Sequence, residues 1–340
     1  MYRENRIALV IPARNEERLI RPTLENVPAY FDRVYVVDDG SSDRTADVVR
    51  ELAARDPRVE LLGHERNQGV GQAIITGYQL ALREGCDIAV VCGGDFQMPL
   101  DESPRLMDPI VDGDSDYVKG NRFMERGNAF DIMPRTRLIG NTLLSLMTKV
   151  ASGNYGVFDV VDGFTAISRK AMESVDWGKA WKGYGYPMDF IIRISSQGFR
   201  IKDVPRRAIY LPGERQSQIK GFRYMVRVTP MIGRAFMHRL VYQCIYYDFH
   251  PLVLLYFAGI ALFPLGLLSG LYLVINKLLL GGAGVTGSRS VLCAILVISG
   301  AQFILSAMAM DQQAYAMREA ARQREPRTPI LPARREETKK

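Results

Sequence analysis

The stretch "RVYVVDDGSSDRTADVVREL", residues 33–52, decides the fold. An apolar run ends in two acids, Asp38 and Asp39. The chain then turns at Gly40, and Ser42 or Asp43 stands where a helix needs its cap. A strand feeding a helix in this way is half of a βαβ unit, and the pattern recurs on both sides. "RIALVIP" leads into a helix expected over Glu16 to Tyr30, and the quoted strand into one over Asp43 to Arg55. "VELLG" leads into Gly69 to Glu84, "DIAVVCGGD" into Glu102 to Val111, and "DYVKGNR" closes the series. Such alternation predicts an α/β domain with a mainly parallel sheet. Ligands of such sheets bind beyond the carboxyl ends of the strands. Those ends here read Pro12-Ala13-Arg14-Asn15-Glu16, Asp38-Asp39-Gly40, Gly94-Asp95 and Asn121-Arg122, so polar and acidic groups gather at one edge.

Further along, Pro134 to Val150 reads as a helix and "DVVDGFTAISR" as a strand. A helix over Pro187 to Gln197 precedes a strand pair, "RIKDVP" and "RRAIYLP". From Gln218 to Phe249 basic and aromatic residues share an apolar helical background, as in a helix lying among lipid headgroups, and Pro230 is expected to break it in two.

Two segments change the class of the molecule. Neither Pro251 to Ile275 nor Ser290 to Met310 contains a charged side chain, and each reaches the roughly 20 residues that cross a bilayer core as a helix. Gly259, Gly266 and Gly270 are spaced for close contact on the first of these spans, and small-residue faces would permit a homo-oligomer. Lys220, Arg223, Arg227, Arg234 and Arg239 precede the first span. Eight basic residues from Arg318 to Lys340 follow the second, whereas the connection holds only Lys277 and Arg289. The positive-inside rule therefore places both termini in the cytoplasm, for a bacterium at its inner membrane. "MYRENR" has no signal-peptide core, so the first 240 or so residues are expected to stay cytosolic. The net charge of +7 fits attraction to anionic lipid, and no motif supports a nucleic-acid partner. The expected division is residues 1–217 as the α/β domain, 218–249 as amphipathic helices, 250–310 as two spans and 311–340 as a basic tail.

Several chemistries are disfavoured. Cys86, Cys92, Cys244 and Cys293 form no C-x-x-C pair, and His64, His238 and His250 are scattered, which argues against a zinc site. "GVGQAI" imitates a dinucleotide fingerprint, but "HERNQ" precedes it instead of an apolar strand. No phosphate-binding P-loop, nucleophile elbow or H-E-x-x-H occurs.

Taken in order, "VIPARNEE", "VVDDGSSDRT", "RNQGVGQAIITG", "GGDFQMP", "GNRF", "VVDGFTAISR" and "IKDVPRRAIYLPGERQSQIK" resemble the family 2 glycosyltransferases with a GT-A fold. Order and spacing are most similar to the branch that loads a sugar onto dolichyl or undecaprenyl phosphate. The Q-x-x-R-W of the processive polymer synthases is absent. The resemblance implies that Pro12, Asn15, Glu16, Asp38, Asp39, Asn67, Gly69, Gly94, Asp95 and Asp162 bind a UDP- or GDP-sugar, with Asp39 recognising the base. Val70 replaces the lysine of the usual N-x-G-K-G loop. The family's D-x-D metal motif falls on Gly93-Gly94-Asp95, so only its second acid is kept.

Mg²⁺ commonly takes one or two protein carboxylates and fills its shell with phosphate oxygens and water. Asp95 and the Gln97 amide are thus expected to hold Mg²⁺ or Mn²⁺. The resemblance further implies that Arg122, Arg137, Asn141, Arg215, Ser217 and Lys220 bind the acceptor phosphate. Asp189 occupies the place where relatives with hydroxyl acceptors keep a base. Because a phosphate monoester is largely ionised at neutral pH, Asp189 is expected to position and not to deprotonate. Transfer to another membrane lipid or lipid-linked saccharide, and a non-catalytic nucleotide-sugar-binding protein, are the alternative readings.

Overall fold

The computed structural model describes residues 1–124, 133–209, 221–247, 249–279 and 285–324. It divides into two compact units, Met1–Ala235 and Phe236–Glu325.

In the first unit the central strand, β1 (Ile7–Ala13), is buried at six of its seven positions. An apolar run without polar alternation marks a strand covered on both faces. It pairs in parallel with β2 (Arg33–Asp38) on one side and β4 (Ile88–Val91) on the other, and β2 pairs in parallel with β3 (Val59–Gly63). The far half of the sheet changes direction. β6 (Thr165–Ser168) lies antiparallel to both β4 and β5 (Tyr117–Asn121), and β7 (Ile201–Pro205) is parallel to β5. The order across the seven strands is β3-β2-β1-β4-β6-β5-β7. Leaving β1 the chain moves one way to β2, and it later returns to β4 on β1's other side. This makes the β1/β4 edge a switch point where a crevice opens beyond the strand ends.

The two faces of β1 serve different layers. Ile7, Leu9 and Ile11 share a core with Ile20 and Leu24 of α1 (Ile20–Glu25), Val49 and Leu52 of α2 (Thr45–Ala53), and Leu106, Met107 and Ile110 of α4 (Ser103–Val111). Val10 faces the opposite way, toward Gly77 of α3 (Val70–Arg83). Beyond α3, Tyr78, Trp177 and Phe190 pack with ring centroids 4.7 to 6.4 Å apart. Phe190 belongs to α7 (Tyr186–Ser196), which follows α5 (Arg135–Ser152) and α6 (Arg169–Ser174).

Four sequence expectations are corrected. The first helix is only Ile20–Glu25, because Asn15 takes a left-handed φ of 56° and Pro28 stands three residues beyond the end. "DVVDGFTAISR" is strand only at Thr165–Ser168. Asp159 has a φ of 49° and its carbonyl accepts the Asp162 N–H in a turn. In "RRAIYLP" the described residues 206–209 are not strand, and the remainder lies outside the described residues. Finally, Pro230 does not break its helix. α8 runs unbroken from Gly221 to Val241 and passes into a π-helical stretch, Tyr242–Tyr247. Val228, Met231 and Ile232 are buried on both sides of the proline, and Thr229 Oγ1 donates 2.8 Å to the Met225 carbonyl, so packing outweighs the proline's lost bond.

The second unit is built on α9 (Leu252–Leu279) and α10 (Gly287–Arg324), both long and apolar enough to cross a membrane. Their backbones approach closely at glycines. A Cβ on Gly259 would stand 2.6 Å from Ile304 Cγ1, and one on Gly300 would stand 2.5 Å from the Phe263 nitrogen. Gly266 also lies in this seam, while Gly270 faces open space. Leu267, Leu268, Leu271 and Leu278 are exposed, an arrangement costly in water and neutral in lipid. Arg239 and Asp311, both buried, form a two-point ion pair at 3.1 and 2.6 Å.

The seam between α3 and β1 yields a test. A Cβ on Gly77 would lie 2.3 Å from Val10 Cγ1. Gly77→Ala is therefore expected to destabilise the α/β domain by about 1–3 kcal/mol through overpacking, measured as a lower denaturation midpoint. An unchanged midpoint would show that the helix can move off the sheet at no cost.

Candidate active site

At the carboxyl end of β2, the two acids do different local work. Asp38 Oδ1 accepts from the backbone N–H of Ser41 at 3.2 Å and from its hydroxyl. Asp39 is 4% exposed and closes the loop before α3. Its Oδ1 accepts the Gln68 N–H at 2.8 Å, its Oδ2 the Gly69 N–H at 2.8 Å, and His64 Nδ1 lies 2.8 Å from Oδ1. His64 Nε2 in turn lies 3.1 Å from Thr76 Oγ1 on α3. Asp39, expected to recognise the base, thus spends both carboxylate oxygens on the loop before α3.

Asn15 and Glu16 leave β1 and meet the turn after β2 and the start of α2. Asn15 Oδ1 accepts the Ser42 N–H at 2.9 Å, Asn15 N–H donates to Ser41 Oγ at 2.9 Å, and Glu16 N–H donates to Thr45 Oγ1 at 2.8 Å. Asn67 lies against the turn, its nitrogen 2.9 Å from where a Cβ on Gly40 would be. Gly69 has a φ of 99°, and a side chain there would strike the Lys182 carbonyl at 2.4 Å. Only glycine combines this backbone with so close an approach. The Gly71 N–H completes the contact with a 2.7 Å bond to the same carbonyl.

The turn after β4 lies beside this wall, since the Gly94 N–H donates 3.4 Å to the Pro12 carbonyl. Asp95 is half-buried, and its Oδ1 accepts the Gln97 N–H at 3.3 Å. Burial raises its pKa above the usual carboxylate range and the charge of Asp162 adds to that, while the Gln97 N–H and Arg206 oppose it. The missing first acid has a steric counterpart. A Cβ on Gly93 would stand 2.9 Å from Asp95 Oδ1, so the carboxylate lies over the place a side chain at 93 would fill. Cys92, fully buried behind the turn, has its thiol pushed up first by burial and then by Asp95's charge, which leaves it inert. Among the described residues no three His, Cys, Asp or Glu side chains form a metal cluster.

From this turn a line of buried ion pairs crosses the sheet. Arg206 Nη1 donates to the Gln97 carbonyl at 3.3 Å, and its Nε to Asp162 Oδ2 at 2.8 Å. Asp162 Oδ2 also lies 3.3 Å from Arg122 Nε. Arg122 forms a fork on Asp159, with Nε to Oδ2 at 2.8 Å and Nη2 to Oδ1 at 2.7 Å. Asn141 Nδ2 donates to the same Oδ1 at 2.9 Å. Beside them Lys119, fully buried, donates to the Phe158 carbonyl at 2.7 Å and lies 3.5 Å from Asp203. Burial opposes ionisation of Asp159, yet Arg122, Lys119 and Asn141 overcome it and hold its pKa well below the usual range. Asp203 is raised by burial, with Lys119 opposing. Lys119, Arg122 and Arg206 balance Asp159, Asp162 and Asp203 in formal charge, so adjoining Asp95 leaves the group one negative charge in excess.

Arg122 and Asn141, two expected acceptor-phosphate residues, therefore share one carboxylate. Arg137 stands one helical turn before Asn141 on α5. Arg215, Ser217 and Lys220 lie outside the described residues. Asp189 is 3% exposed, and its Oδ2 accepts the Trp181 N–H at 2.8 Å and Arg193 Nε at 2.7 Å. It anchors the 181–183 segment that closes on Gly69, and it stands apart from the line of ion pairs.

Sequence reading did not single out Asp159, Lys119, Asp203, Arg206, His64 or Tyr184. Asp159 opens the "DVVDGF" motif and Arg206 follows "IKDVP", so a charge inside an apolar stretch was the available signal. Tyr184 gave no such signal. It is half-exposed, and after burial, which raises its hydroxyl pKa, the groups acting on it are Arg14, Glu16, Asp95 and Asp39.

A family model described as glycosyl transferase family 2 matches residues 8–176. The UDP-N-acetylglucosamine–dolichyl-phosphate N-acetylglucosaminyltransferase of Methanococcus voltae is 33% identical over 217 residues, covering 60% of this chain and 86% of the relative. Polyprenol monophosphomannose synthase of Mycolicibacterium smegmatis is 30% identical over 211 residues, covering 59% of this chain and 76% of the relative. Glucosyl-3-phosphoglycerate synthase from Mycobacterium tuberculosis, solved with Mn²⁺ and UDP-glucose, superposes with a TM-score of 0.50 at 18% identity, over 68% of this chain and 79% of that one. It shares the fold.

The buried fork on Arg122 makes a stability prediction. Asp159→Asn leaves the guanidinium with only Asp162, which Arg206 already engages, and is expected to cost roughly 3–5 kcal/mol in denaturant unfolding at neutral pH. Because Asp159's folded pKa is depressed, its contribution is full above the unfolded value of about 4 and is lost as pH falls below it. The gap between wild type and variant should therefore narrow in acid. A gap that is small or independent of pH would contradict the ionised fork.

Proposed function

Because this chain belongs to glycosyltransferase family 2, we propose that it transfers a sugar from a UDP- or GDP-sugar to a polyprenyl phosphate, with inversion, at the cytoplasmic face of a membrane. The observation that carries this reading is the line from Asp95 through Arg206 and Asp162 to Arg122 and Asn141. It ties the turn that carries Asp95 to the guanidinium and amide that Asp159 holds at the end of β5. The dolichyl-phosphate and polyprenol-phosphate activities of the two relatives support the acceptor class.

On the donor side Pro12, Asn15, Glu16, Asp38, Asp39, Asn67 and Gly69 shape the nucleotide pocket, and Gly94, Asp95 and Asp162 lie toward the sugar and diphosphate. The excess negative charge and the raised pKa of Asp95 suit a divalent cation. One protein carboxylate is within what Mg²⁺ accepts. Asp95 and Gln97 would hold Mg²⁺ or Mn²⁺, which when bound neutralises charge on the departing diphosphate.

Arg122, Arg137 and Asn141, with Arg215, Ser217 and Lys220, orient the lipid phosphate. Its oxygen attacks the anomeric carbon from the side opposite the nucleoside diphosphate, the C–O bond to that diphosphate breaks, and a phosphodiester forms. Since the nucleophile is already an anion, no base is required. Asp189, occupied by Trp181 and Arg193, fits a positioning role. We assign residues 1–217 to catalysis and 218–249 to the headgroup layer. Residues 250–310 form two spans and 311–340 a cytoplasmic tail, with orientation set by the basic flanks.

Purified full-length protein, incubated with radiolabelled UDP- and GDP-sugars, undecaprenyl or dolichyl phosphate and Mg²⁺ or Mn²⁺, should place label in the lipid extract for at least one combination. No lipid-linked label with any combination would sink the reading. Asp95→Ala should reduce transfer by roughly 100-fold or more, and intact turnover would remove the metal assignment. Gly93→Ala, by displacing the Asp95 carboxylate, should raise the cation concentration needed for half-maximal rate. That concentration should also rise as pH falls toward Asp95's elevated pKa, because protons compete with the cation. A pH-independent requirement would argue for other ligands.

A further inference from the structure

Strand pairing places a buried histidine that the reaction proposed above does not use. β3 pairs with β2 so that Gly63 stands opposite Asp38, and His64 therefore leaves β3 beside Asp39. The His64 N–H donates to the Asp38 carbonyl at 2.9 Å and the Asp39 N–H to the Ala13 carbonyl at 2.9 Å, so both residues are fixed at the sheet end. Their side chains, His64 and Asp39, are only 9% and 5% exposed.

Lone pairs decide what this cluster can bind. A carboxylate only accepts hydrogen bonds, and its two oxygens offer about four sites between them. His64 Nδ1, 2.8 Å from Asp39 Oδ1, therefore carries a hydrogen, and in the neutral ring Nε2 accepts the Thr76 hydroxyl at 3.1 Å. Oδ1 also accepts the Gln68 N–H at 2.8 Å, so both of its sites are filled. Oδ2 accepts the Gly69 N–H at 2.8 Å and keeps one site open. Among the described residues no other donor reaches this carboxylate.

The loop is held against releasing a second site. As α3 begins, the Gly69 carbonyl accepts the Gln72 and Ala73 N–H groups at 2.9 and 3.1 Å, and the Lys182 carbonyl abuts Gly69 from outside. On the nucleotide-sugar reading, on which this inference rests, Asp39 meets the base. Uracil presents a single ring donor, N3–H. Guanine presents two donors side by side, N1–H and the exocyclic N2–H, which together call for an open site on each carboxylate oxygen. Asp39 has its open site on Oδ2 alone, so guanine would bury one donor unpaired and lose about 10-fold or more in affinity.

We infer that the donor base is uracil, and that His64 is a positioning residue that sets this choice by occupying Asp39 Oδ1 and fixing the carboxylate's rotation. Without that bond the carboxylate can turn and Oδ1 gains an open site, so the preference for uracil weakens.

Isothermal titration calorimetry of full-length protein in detergent micelles, with Mg²⁺ and no lipid acceptor, compares UDP with GDP. UDP is expected to bind about 10-fold tighter or more. Equal or tighter binding of GDP would overturn the base choice and leave sugar transfer to a polyprenyl phosphate standing. A preference for UDP in protein that labels no lipid would uphold the base choice while the acceptor reading fell. Binding of neither nucleotide would sink both.

His64→Leu removes the donor, and UDP affinity should then fall about 10-fold with GDP little changed, bringing the ratio toward one. His64→Asn puts an amide nitrogen at the place of Nδ1 and should restore the ratio. Equal losses for both nucleotides in His64→Leu, or an unaltered ratio, would remove His64 from base selection. Circular dichroism matching the parent confirms that each variant is folded, and the wild-type comparison tests the base without them.

Discussion

Three cations and three carboxylates lie buried together within β5 and β7 and beyond their ends, and their mutual compensation is the constraint on which the functional edge depends. A lone charge at any of these depths would cost several kcal/mol, so each must be matched by another brought from elsewhere in the chain. Arg122 leaves β5, Asp159 and Asp162 come from the turns before β6, and Arg206 follows β7. The antiparallel placement of β6 between β4 and β5 is what makes these partners adjacent. The left-handed turn at Asp159, which interrupts an otherwise good strand sequence, aims its carboxylate at the Arg122 fork.

This arrangement gives the two halves of the edge different characters. The β1, β2 and β4 ends carry carboxylates held by backbone N–H groups and by neighbouring loops. Asp39 spends both oxygens on the loop before α3, and Asn15 ties β1's exit to the same region. The β5 side carries guanidinium and amide groups fixed by Asp159. Between the halves Arg206 reaches the Gln97 carbonyl, so the turn that holds Asp95 is braced by the ion pairs that orient Arg122. On the proposed reaction, one rigid element would thereby set the distance between the departing diphosphate and the incoming phosphate, which is how orientation lowers a barrier.

The strands and the acids at their ends were legible because burial of both faces writes an unbroken apolar run, and the switch point follows from topology. Asp95, Asp38, Asp39 and Arg122 could be found at such ends without coordinates. Asp159 and Arg206 offered only the weak signal of a charge inside an apolar stretch, because their meaning lies in partners 37 and 44 residues away. His64 was set aside as scattered, yet it supports Asp39 across 25 residues. Pro230 misled for a related reason, since the cost of a proline is local while the packing of Val228, Met231 and Ile232 that offsets it is tertiary.

The chemistry assigned to this edge converts a phosphomonoester into a phosphodiester, and that change can be seen directly. A monoester has a second pKa near about 6 and a diester has none. Phosphorus NMR of undecaprenyl or dolichyl phosphate, incubated with the enzyme, a divalent cation and the nucleotide sugar that supports turnover, is the most direct measurement. The lipid resonance should lose its pH dependence as UDP or GDP appears in equal amount. Release of UDP or GDP while the lipid phosphate continues to titrate as a monoester would contradict the phosphate acceptor on which the proposed mechanism rests.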